Sequence, residues 1–451
     1  MPGGCGSIFG FVSNRRSSSL MTESGPILEV GMSKRFVISG RQQLSGAYPV
    51  QGSKNAALPL ISAALLSKSI IHFQNVPRIA DVEDLLQLVE SLDVKTQWEN
   101  GTLSLDSRNF RGGELPPLLV EKLRGAILLL GSMAPLLGSV SCPMPGGCHI
   151  GRRSFDAHWE VFRAAGFSVT ERSRRIELKK TKTVELPRVY LTESSVTATE
   201  NALILFSALG QGIIENPARE LHVLTLVDFL RQLGCEIELH PLWYRVRSGL
   251  SGQEKELVFQ VPADYMDAGT IAIAAAVTGG EVQLQGVSKE ELRPILNTFE
   301  QFGLQFEEMG NQELKVKGVD LTNPSQVTAG LWPSFPTDLV SLAIVLATQS
   351  KGLCLIHDWM YEARMFFIDK LIRMGANITM CDPHRVIAEG PSLLRGTQLE
   401  SPDIRAGMAL VVAGLCADGV TTIEHVEVIQ RGYERVVERL SSIGAQISEE
   451  E

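Results

Sequence analysis

The sequence predicts an α/β protein of two domains, each built from three related repeats. Three observations support this. A chain of 451 residues is too long for a single hydrophobic core. One pattern of an apolar helix, an amphipathic helix and a strand recurs six times, at a spacing of roughly 70 residues. A glycine or aspartate separates the amphipathic helix from the strand in each repeat, as is typical of a helix end.

The first helix of each repeat is rich in Ala, Leu and Ile and follows residues that can cap its N-terminus. Because these helices are apolar nearly all round, we expect them to be buried inside the domains. They are predicted at 58–66, 127–137, 203–209, 271–277, 339–346 and 408–415, opened by segments that begin at Ser53, Leu123, Ser195, Asp267, Pro336 and Asp403.

The second helix of each repeat is amphipathic and leads into a strand. In the first repeat, Leu85, Leu88 and Leu92 fall on one face at helical spacing, which indicates one buried side. The six helices are predicted at 82–92, 156–165, 225–233, 292–302, 367–374 and 433–443. A first strand is predicted at 35–39.

The composition and net charge indicate which kinds of binding partner are disfavoured. Hydrophobic residues make up 44% and charged residues 21% of the chain, a balance typical of soluble globular proteins. The net charge of −9 disfavours broad nucleic-acid binding, so an anionic substrate needs a local cluster of arginines and lysines. The seven cysteines are scattered without zinc-ligand spacing, which predicts free thiols in a reducing compartment. The sequence has no apolar run long enough to span a bilayer.

Residues 1–33 are predicted to be a leader outside the folded domains. The segment is rich in Gly and Ser, carries Arg15 and Arg16, and lacks the apolar centre of a secretory signal. A short transit peptide is one interpretation. An over-extended start is the other, with Met21 or Met32 as the initiator, and it is favoured because Met32 directly precedes the first strand.

Residues 142–153 form the most unusual stretch of the sequence, Cys-Pro-Met-Pro-Gly-Gly-Cys-His-Ile-Gly-Arg-Arg. Its prolines and glycines predict a loop. Cys148 lies beside His149, Arg152 and Arg153, and nearby positive charge favours the thiolate. The loop is either a mobile element that brings an acid or nucleophile to an anionic substrate, or a turn with an incidental cysteine.

Three cations occupy helix starts, where the helix dipole disfavours them. Lys54, Arg124 and Arg405 each open a predicted apolar helix. Since the repeats place all six helix starts at equivalent positions, these N-termini are predicted to converge near a cleft and bind an anion, phosphate or carboxylate. The alternative is that the six starts only cap their helices.

The sequence alone does not decide the roles of two further residues. A carboxylate at a helix start, such as Asp338, is electrostatically favourable. Asp338 is therefore either a residue that only stabilises the helix start or a general base. Arg431 precedes a glycine and the last helix, and is either a surface residue or an arginine brought in when two lobes close.

Four motifs, in this order along the chain, carry a resemblance to one enzyme family. They are Gly52-Ser53-Lys54-Asn55-Ala56-Ala57, Pro145-Gly146-Gly147-Cys148-His149-Ile150-Gly151, Phe335-Pro336-Thr337-Asp338 and Arg431-Gly432-Tyr433-Glu434-Arg435. With them the sequence resembles the UDP-N-acetylglucosamine 1-carboxyvinyltransferases of the EPSP synthase superfamily over nearly its whole length. The cysteine loop separates this family from the 5-enolpyruvylshikimate-3-phosphate synthases, which share the fold and lack the loop.

The resemblance implies a fold of two inverse α/β barrel-like domains, each of three βαβαββ-type repeats, with a cleft between them. One domain is expected to be discontinuous, combining residues 34–53 with residues 263–451. The other is expected to span residues 54–262 and to carry the cysteine loop, 142–153.

The resemblance also implies a reaction. The enolpyruvyl group of phosphoenolpyruvate would move to the 3-hydroxyl of UDP-N-acetylglucosamine with release of phosphate, as the first committed step of peptidoglycan synthesis. No metal or organic cofactor, nucleic acid or membrane is implied. The protein is expected to be cytoplasmic, a monomer or weak oligomer, and a target of fosfomycin.

Family roles transfer to matching positions of this sequence. Catalytic roles are implied for Cys148, Asp338, Lys54 and Arg431. Cys148 would protonate the methylene carbon of phosphoenolpyruvate and be the site of alkylation by fosfomycin, and Asp338 would take the proton from the sugar hydroxyl. The implied substrate-binding set is Lys54, Asn55, Arg124, Arg153, Ser195, Val196, Asp338, Met360, Asp403, Arg405 and Arg431.

Within that set, the resemblance implies separate tasks for the donor and the acceptor. Lys54, Arg124 and Arg431 would hold the phosphate and carboxylate of the donor, with Asp403 and Arg405 beside them. On the acceptor side, Asn55 would orient the sugar, Arg153 would meet the diphosphate, and Ser195 with Val196 would line the uridine side.

The sequence departs from the family pattern mainly on the acceptor side. Glu193 stands where a lysine is usual near the diphosphate, and Thr197 replaces a usual glycine that a side chain is expected to crowd. Ser154-Phe155 replaces a usual Pro-Val, and Leu128 a common tryptophan. These departures leave two alternatives: a diverged paralogue that uses another nucleotide sugar, and a non-catalytic ligand-binding protein of the same fold.

Overall fold

The six apolar helices pack inside the molecule, and the sheets lie around them. The structure is a computed structural model that describes residues 34–147, 153–250, 256–310 and 312–451. The predicted leader, 1–33, lies outside the described residues, as do Cys148, His149 and Arg152 of the loop.

Along the chain, helices that are buried on most sides are separated by helices that bury only one face. In chain order they are α1 (Lys54–Ala64), α2 (Ala80–Glu90), α3 (Pro117–Lys122), α4 (Leu129–Leu137), α5 (Asp156–Ala164), α6 (Val196–Leu209), α7 (Leu221–Gln232), α8 (Tyr265–Val277), α9 (Lys289–Gln301), α10 (Val340–Gln349), α11 (Ile368–Arg373), α12 (Ile404–Cys416) and α13 (Val436–Ser441). Short 3₁₀ helices span Arg124–Leu128, Thr337–Leu339 and Val426–Arg431.

The strands are mostly three to six residues long. In chain order they are β1 (Arg35–Ser39), β2 (Ser45–Pro49), β3 (Ile70–Gln74), β4 (Lys95–Glu99), β5 (Thr102–Asp106), β6 (Ser139–Pro143), β7 (Phe167–Arg172), β8 (Arg175–Lys180), β9 (Arg188–Tyr190), β10 (Gln211–Glu215), β11 (Glu236–Leu239), β12 (Trp243–Arg247), β13 (Leu257–Gln260), β14 (Glu281–Gln285), β15 (Leu304–Gly310), β16 (Glu313–Gly318), β17 (Gln326–Thr328), β18 (Gly352–His357), β19 (Asn377–Asp382), β20 (Arg385–Gly390), β21 (Gln398–Glu400), β22 (Val420–Glu424) and β23 (Gln446–Glu450).

The sheet topology confirms the sixfold repeat. Within the described ranges the strand orders are β21-β22-β1-β23, β11-β12-β10-β9, β13-β3-β5-β4, β15-β16-β14-β2, β17-β18-β20-β19 and β6-β8-β7. In each four-stranded sheet one parallel pair is followed by two antiparallel pairs. The chain therefore repeats one α/β unit, as the sequence pattern predicts, and the fold is a two-domain α/β fold.

The buried hydrophobic residues fall into two clusters. One contains residues of β1 and β2 together with residues from Tyr265 onwards. The other runs from Ala56 to Val261. On this basis we propose that the two cores are the two domains expected from the sequence, 34–53 with 263–451, and 54–262.

The chain passes between the two cores at two adjacent segments. Ser53 N–H donates to the carbonyl of Pro262 at 2.8 Å, and Asp264 N–H donates to that of Gln51 at 2.7 Å. Between these bonds, Gly52 pairs with Ala263 as an isolated antiparallel bridge. The two crossings are thus tied to each other directly before α1, the helix that presents Lys54.

Three of the six predicted helix starts are confirmed, and three differ. Ser53, Ser195 and Asp403 cap α1, α6 and α12 as predicted. Asp267 is not a cap, because α8 begins two residues earlier and Asp264 accepts from Met266 N–H at 2.9 Å. The helices opened by Arg124 and Asp338 start as 3₁₀ turns without a side-chain cap.

Three amphipathic helices also differ from their predicted limits. The helices predicted at 225–233 and 292–302 begin earlier, at Leu221 and Lys289. The helix predicted at 433–443 is shorter, Val436–Ser441, because Arg435 before it has a left-handed backbone with φ of 44°. A residue with positive φ interrupts a helix, so the Arg431 segment forms a separate 3₁₀ turn.

Gly52→Ala should destabilise the protein. A Cβ at this position would lie 1.7 Å from the backbone oxygen of Asn75, so the crossing segment would have to move. We expect a loss of about 1–3 kcal/mol in the free energy of unfolding, measured by urea denaturation. Gly113→Ala is the control, since its nearest neighbour is 3.5 Å away. Equal stability of the two variants would contradict this role for Gly52.

Candidate active site

Asp338 lies between two arginines that come from other parts of the chain. Its Oδ1 accepts from Arg364 Nη2 at 2.8 Å, and its Oδ2 is 3.2 Å from Arg405 Nε and 3.1 Å from Arg405 Nη2. The side chains of Arg364 and Arg405 are only 1% and 8% exposed, whereas that of Asp338 is 28% exposed. The carboxylate therefore closes a buried cationic pocket and remains reachable from outside.

The electrostatics of Asp338 follow from these contacts. Burial alone raises the pKa of a carboxyl group. Here Arg405, Arg364 and the more distant charge of Lys54 outweigh burial and hold the pKa of Asp338 well below its usual range. The group is a carboxylate at any physiological pH.

Asp81, which the sequence patterns did not single out, holds a second pair of cations. Lys54 Nζ lies 2.6 Å from its Oδ2, and Arg431 Nε donates to its Oδ1 at 2.7 Å. Arg431 Nη2 also donates to the carbonyl of Lys122 at 2.9 Å. Burial opposes ionisation of Asp81, but Lys54 and Arg431 lower its pKa below the usual value.

A signal for Asp81 was available in the sequence. Asp81, Leu85 and Leu88 fall on one helix face at spacings of four and seven residues. A carboxylate on the apolar face of an amphipathic helix needs a partner, because an unpaired buried charge is costly. What the sequence could not supply is the identity of that partner.

The two ion clusters are neighbours. Gly432, next to Arg431, lies beside Arg405, so that a Cβ added there would be 3.9 Å from Arg405 Nη1. The guanidinium of Arg405 lies over the ring of Tyr433, 5.4 Å from its centroid. The structure thus brings together Lys54, Asp338, Arg405 and Arg431, four of the residues singled out from the sequence.

Asp403 acts as a helix cap in this structure. Its Oδ1 accepts from the backbone N–H groups of Arg405 and Ala406, at 2.8 and 3.0 Å. This cap fixes the first turn of α12 and with it the backbone of Arg405. Its predicted contact with substrate stays a prediction.

Arg124 belongs to the loop side of the site. Its Nη2 donates to the carbonyl of Ser154 at 3.0 Å and approaches that of Arg153 at 3.3 Å. Its guanidinium lies over Phe155, 4.1 Å from the ring centroid. Burial and the charge of Arg153 lower the pKa of Arg124 to about 10, which leaves it protonated at neutral pH.

Both described ends of the cysteine loop meet at Arg124. A Cβ added to Gly147 would lie 3.0 Å from the Arg124 Cβ, and Arg153 follows the loop on its other side. Cys148 itself is outside the described residues. The described flanks of the loop, Gly147 and Arg153, thus both lie next to the buried cation Arg124.

Tyr361 connects the loop side with Asp338. Burial and the negative charge of Asp338 raise the pKa of Tyr361, while Arg153 and Arg364 oppose that shift. Its neighbour Met360 has its N–H bound to Asp358 Oδ1 at 2.9 Å. Arg124, which also interacts with Tyr361, is therefore part of the same electrostatic environment as Asp338.

The predicted acceptor side is formed by the start of α6. Ser195 caps this helix through Ala198 N–H at 3.5 Å, and Val196 is its first residue. Glu193 is exposed, and its carbonyl accepts from Ser195 N–H at 2.7 Å. Asn55 is partly buried in the first turn of α1, next to Lys54. The roles of Asn55, Ser195 and Val196 stay predictions.

Thr197 is accommodated by a buried histidine. Its Oγ1 lies 3.0 Å from Nε2 of His158, whose Nδ1 is 2.9 Å from Nδ2 of Asn201. Because Asn201 donates through Nδ2, Nδ1 of His158 is the acceptor and Nε2 carries the hydrogen. Burial and the nearby Arg124 lower the pKa of His158 to about 3, so the ring is neutral.

Asn201 extends this network into the core. Its Oδ1 accepts from Gly131 N–H at 3.1 Å, and its Nδ2 also donates to the carbonyl of Ile127 at 3.0 Å. The first turn of α6 is thereby fixed to α4, α5 and the 3₁₀ helix that carries Arg124. Within the described ranges, no group of three or more His, Cys, Asp or Glu side chains is arranged to hold a metal ion.

Comparisons with known proteins identify the family to which the chain belongs. The family model described as EPSP synthase (3-phosphoshikimate 1-carboxyvinyltransferase) matches residues 38–440. A curated UDP-N-acetylglucosamine 1-carboxyvinyltransferase from Bradyrhizobium diazoefficiens is 40% identical over 430 residues, which cover 92% of this chain and 97% of that protein. One of the same name from Treponema denticola is 38% identical, over 91% of this chain and 98% of the relative.

Solved structures agree on the fold. The enolpyruvyl transferase NikO from Streptomyces tendae superposes with a TM-score of 0.83 at 20% identity, over 93% of this chain and 99% of that one. EPSP synthase from Acinetobacter baumannii gives a TM-score of 0.71 at 16% identity, over 93% and 100% of the two chains. At these identities the likeness concerns the fold alone.

His158→Gln should change how stability depends on pH. The folded state lowers the pKa of His158 from 6.5 to about 3, so the unfolded chain binds more protons between these values. The contribution of neutral His158 is complete above pH 6.5 and is lost as the pH falls. Relative to the variant, the wild type should lose about 1.4 kcal/mol per pH unit between about pH 6 and 4, measured by urea unfolding.

The same series of urea curves contains its own check. Glutamine can still bind the hydroxyl of Thr197 and does not titrate. It loses the bond to Asn201, which lowers the stability of the variant by an amount that does not depend on pH. A constant difference in unfolding free energy between the two proteins from pH 7 to pH 4 would show that His158 is not buried as a neutral ring.

Proposed function

The chain belongs to the EPSP synthase family, and on that premise we propose that it transfers the enolpyruvyl group of phosphoenolpyruvate to the 3-hydroxyl of UDP-N-acetylglucosamine, with release of phosphate. The observation that carries the proposal is the pair of adjacent ion clusters, Lys54–Asp81–Arg431 and Arg364–Asp338–Arg405. They supply cations for two anionic groups beside a carboxylate that can accept a proton. The names of the relatives support this acceptor and do not favour another nucleotide sugar.

The proposed chemistry is an addition followed by an elimination. Asp338 takes the proton of the sugar 3-hydroxyl while the hydroxyl oxygen forms a bond to C2 of phosphoenolpyruvate. Cys148 gives a proton to C3, which becomes a methyl group. The tetrahedral adduct then loses a proton from that methyl group, the C2–O bond to phosphate breaks, and the enolpyruvyl ether remains. Lys54, Arg124, Arg405 and Arg431 balance the charge on the phosphate and carboxylate throughout.

The acceptor would bind along the start of α6. We propose that Arg153 meets the diphosphate, that Ser195 and Val196 line the uridine side, and that Asn55 orients the sugar. Met360 and Asp403 complete the proposed binding set. Support comes from Tyr361, next to Met360. The charges of Asp338 and Arg153 both shift its pKa, so it lies in the field of the proposed base and of the proposed diphosphate ligand.

Further properties follow from this activity. We propose that the protein acts in peptidoglycan synthesis, and so in cell-wall growth, cell shape and division, in the cytoplasm, as a monomer or weak oligomer. Among the described residues, no helix combines the length and apolarity needed to cross a bilayer. Small-molecule substrates suffice for the proposed reaction, and neither a cofactor nor a nucleic acid takes part in it.

A phosphate-release assay tests the reaction. Phosphate should appear only when phosphoenolpyruvate and UDP-N-acetylglucosamine are both present. Cys148→Ala and Asp338→Asn should each lower kcat by about 10²–10⁴-fold, because each removes a proton-transfer group. Cys381→Ala should keep wild-type turnover, since Cys381 is an exposed thiol on β19. No phosphate with UDP-N-acetylglucosamine, or full turnover in Cys148→Ala, would refute the proposal.

Fosfomycin should modify one cysteine. Alkylation requires a thiolate or a positioned thiol, and burial raises the pKa of Cys142 to about 12. Peptide mass spectrometry after incubation with fosfomycin should therefore find the adduct on Cys148 and none on Cys142. Cys381 is the internal control for non-specific reaction, because it is exposed but lies outside the proposed site. An adduct spread over Cys148 and Cys381 would argue against a specific fosfomycin site.

A further inference from the structure

Each pair of cations in the site already has a carboxylate from the protein itself. Asp81 is shared by Lys54 and Arg431, and Asp338 by Arg364 and Arg405. The donor of the proposed reaction carries two anionic groups, a phosphate and a carboxylate. The protein thus has two cation pairs for the two anionic groups of the donor. Each pair already contacts one carboxylate of the protein.

The two carboxylates differ in burial. The side chain of Asp81 is 5% exposed, and its partners lie at 2.6 and 2.7 Å. A buried carboxylate that loses its partners is strongly destabilised, so Asp81 has to remain with Lys54 and Arg431 when a ligand binds. The side chain of Asp338 is 28% exposed, so it can turn away from its arginines and still be solvated or hydrogen-bonded.

The arginines around Asp338 are held independently of it. Arg364 is almost completely buried, lies 3.9 Å from Asp358, and has its guanidinium 5.5 Å from the ring centroid of Tyr361. Arg405 lies over the ring of Tyr433. If Asp338 moved, these supports would keep both guanidinium groups in place and leave them to bind another carboxylate.

The guanidinium of Arg405 interacts with the Tyr433 hydroxyl as well as with Asp338, yet one of its nitrogens lacks a well-formed hydrogen bond. Its Nη1 is buried and, within the described residues, makes no hydrogen bond. Buried N–H groups are normally satisfied, and an orphaned one in a native structure points to a missing partner. This nitrogen lies beside Gly432, on the side where the Arg431 segment meets Arg405.

We propose that Asp338 is an exchangeable counter-ion: in the free protein it occupies the position of the donor's carboxylate, and the donor displaces it from Arg364 and Arg405. The proposal rests on the proposed function and adds an order of events to it. Displacement by the donor removes two cationic partners from Asp338 and so makes it a better proton acceptor. The base becomes competent only when the donor's carboxylate is in place.

The fixed carboxylate, Asp81, has the opposite effect on binding. It joins Lys54 and Arg431, which are 377 residues apart in the sequence (431 minus 54). Without it these two like charges repel each other, and the segment carrying Arg431 loses a contact with the other core. Two isosteric substitutions, Asp338→Asn and Asp81→Asn, therefore change the net charge equally but are expected to act in opposite directions.

Binding of simple anions tests the proposal without turnover. The probes are pyruvate, which carries the carboxylate alone, and inorganic phosphate, titrated calorimetrically into each protein at fixed pH and ionic strength. Asp338→Asn should bind pyruvate at least about tenfold more tightly than the wild type, because the internal competitor is gone. Its affinity for phosphate should stay within about twofold, since the Lys54–Arg431 pair is intact.

Control variants separate exchange from a general effect of charge. Asp81→Asn should bind phosphate more weakly than the wild type. Asp338→Glu keeps the counter-ion and should bind pyruvate no more tightly than the wild type. Asp106→Asn, which breaks the ion pair between the last residue of β5 and the exposed Arg108, should leave both affinities unchanged. Where Asp338→Asn does not fold, as judged by circular dichroism, Asp338→Ala takes its place.

Two results would overturn the proposal. One is unchanged or weaker binding of pyruvate in Asp338→Asn and Asp338→Ala. The other is equal tightening of pyruvate binding in Asp338→Asn and Asp81→Asn, which would reduce the effect to net charge. Failure of the proposed function gives a different result: a protein that releases no phosphate from phosphoenolpyruvate and UDP-N-acetylglucosamine can still show the predicted pattern of anion binding.

Discussion

The site depends on cations held where the fold disfavours them. Lys54 and Arg405 lie in the first turns of buried helices, and Arg124 opens a 3₁₀ helix, so each faces the positive end of backbone dipoles. A buried cation in such a place needs compensation: Arg124 has the carbonyls of Arg153 and Ser154 and the ring of Phe155, whereas Lys54 and Arg405 have carboxylates. Asp81 and Asp338 supply the carboxylates, and the same electrostatic demand that makes these two residues necessary makes the cleft attractive to an anion.

The repeat architecture explains why so many helix starts meet. Each unit buries an apolar helix under a small sheet, and five of the described sheets share one order of parallel and antiparallel pairs. Repetition puts equivalent N-termini at equivalent places. The protein then differentiates them through single residues, a lysine after Ser53, an aspartate after Thr337 and an arginine after Ile404.

The segments that cross between the two cores are hydrogen-bonded to the segment that carries Arg431. Gln51 donates through Nε2 to the carbonyl of Gly432 at 2.9 Å and accepts through Oε1 from the N–H of Glu434 at 2.9 Å. The segment that carries Arg431 is therefore bonded to the crossing that precedes Lys54. Asp267, which is not the helix cap expected from the sequence, pairs instead with Arg439 at 2.8 Å and accepts from the backbone of Gln51 at 3.0 Å.

The sequence by itself determined the repeats, the buried and amphipathic helices, and half of the caps, because periodicity and capping are local properties of the chain. It also identified Lys54, Arg405 and Asp338 through their conflict or agreement with a helix dipole, which a single helix already defines. Only the tertiary structure decided which carboxylate each cation meets. Asp81 and Arg431 are 350 residues apart, and Arg405 and Asp338 are 67 apart, so no local rule could have paired them. The limits of the helices opened by Arg124 and Asp338 escaped the sequence for the same reason, since long-range ion pairs and packing, more than capping propensity, fix those turns.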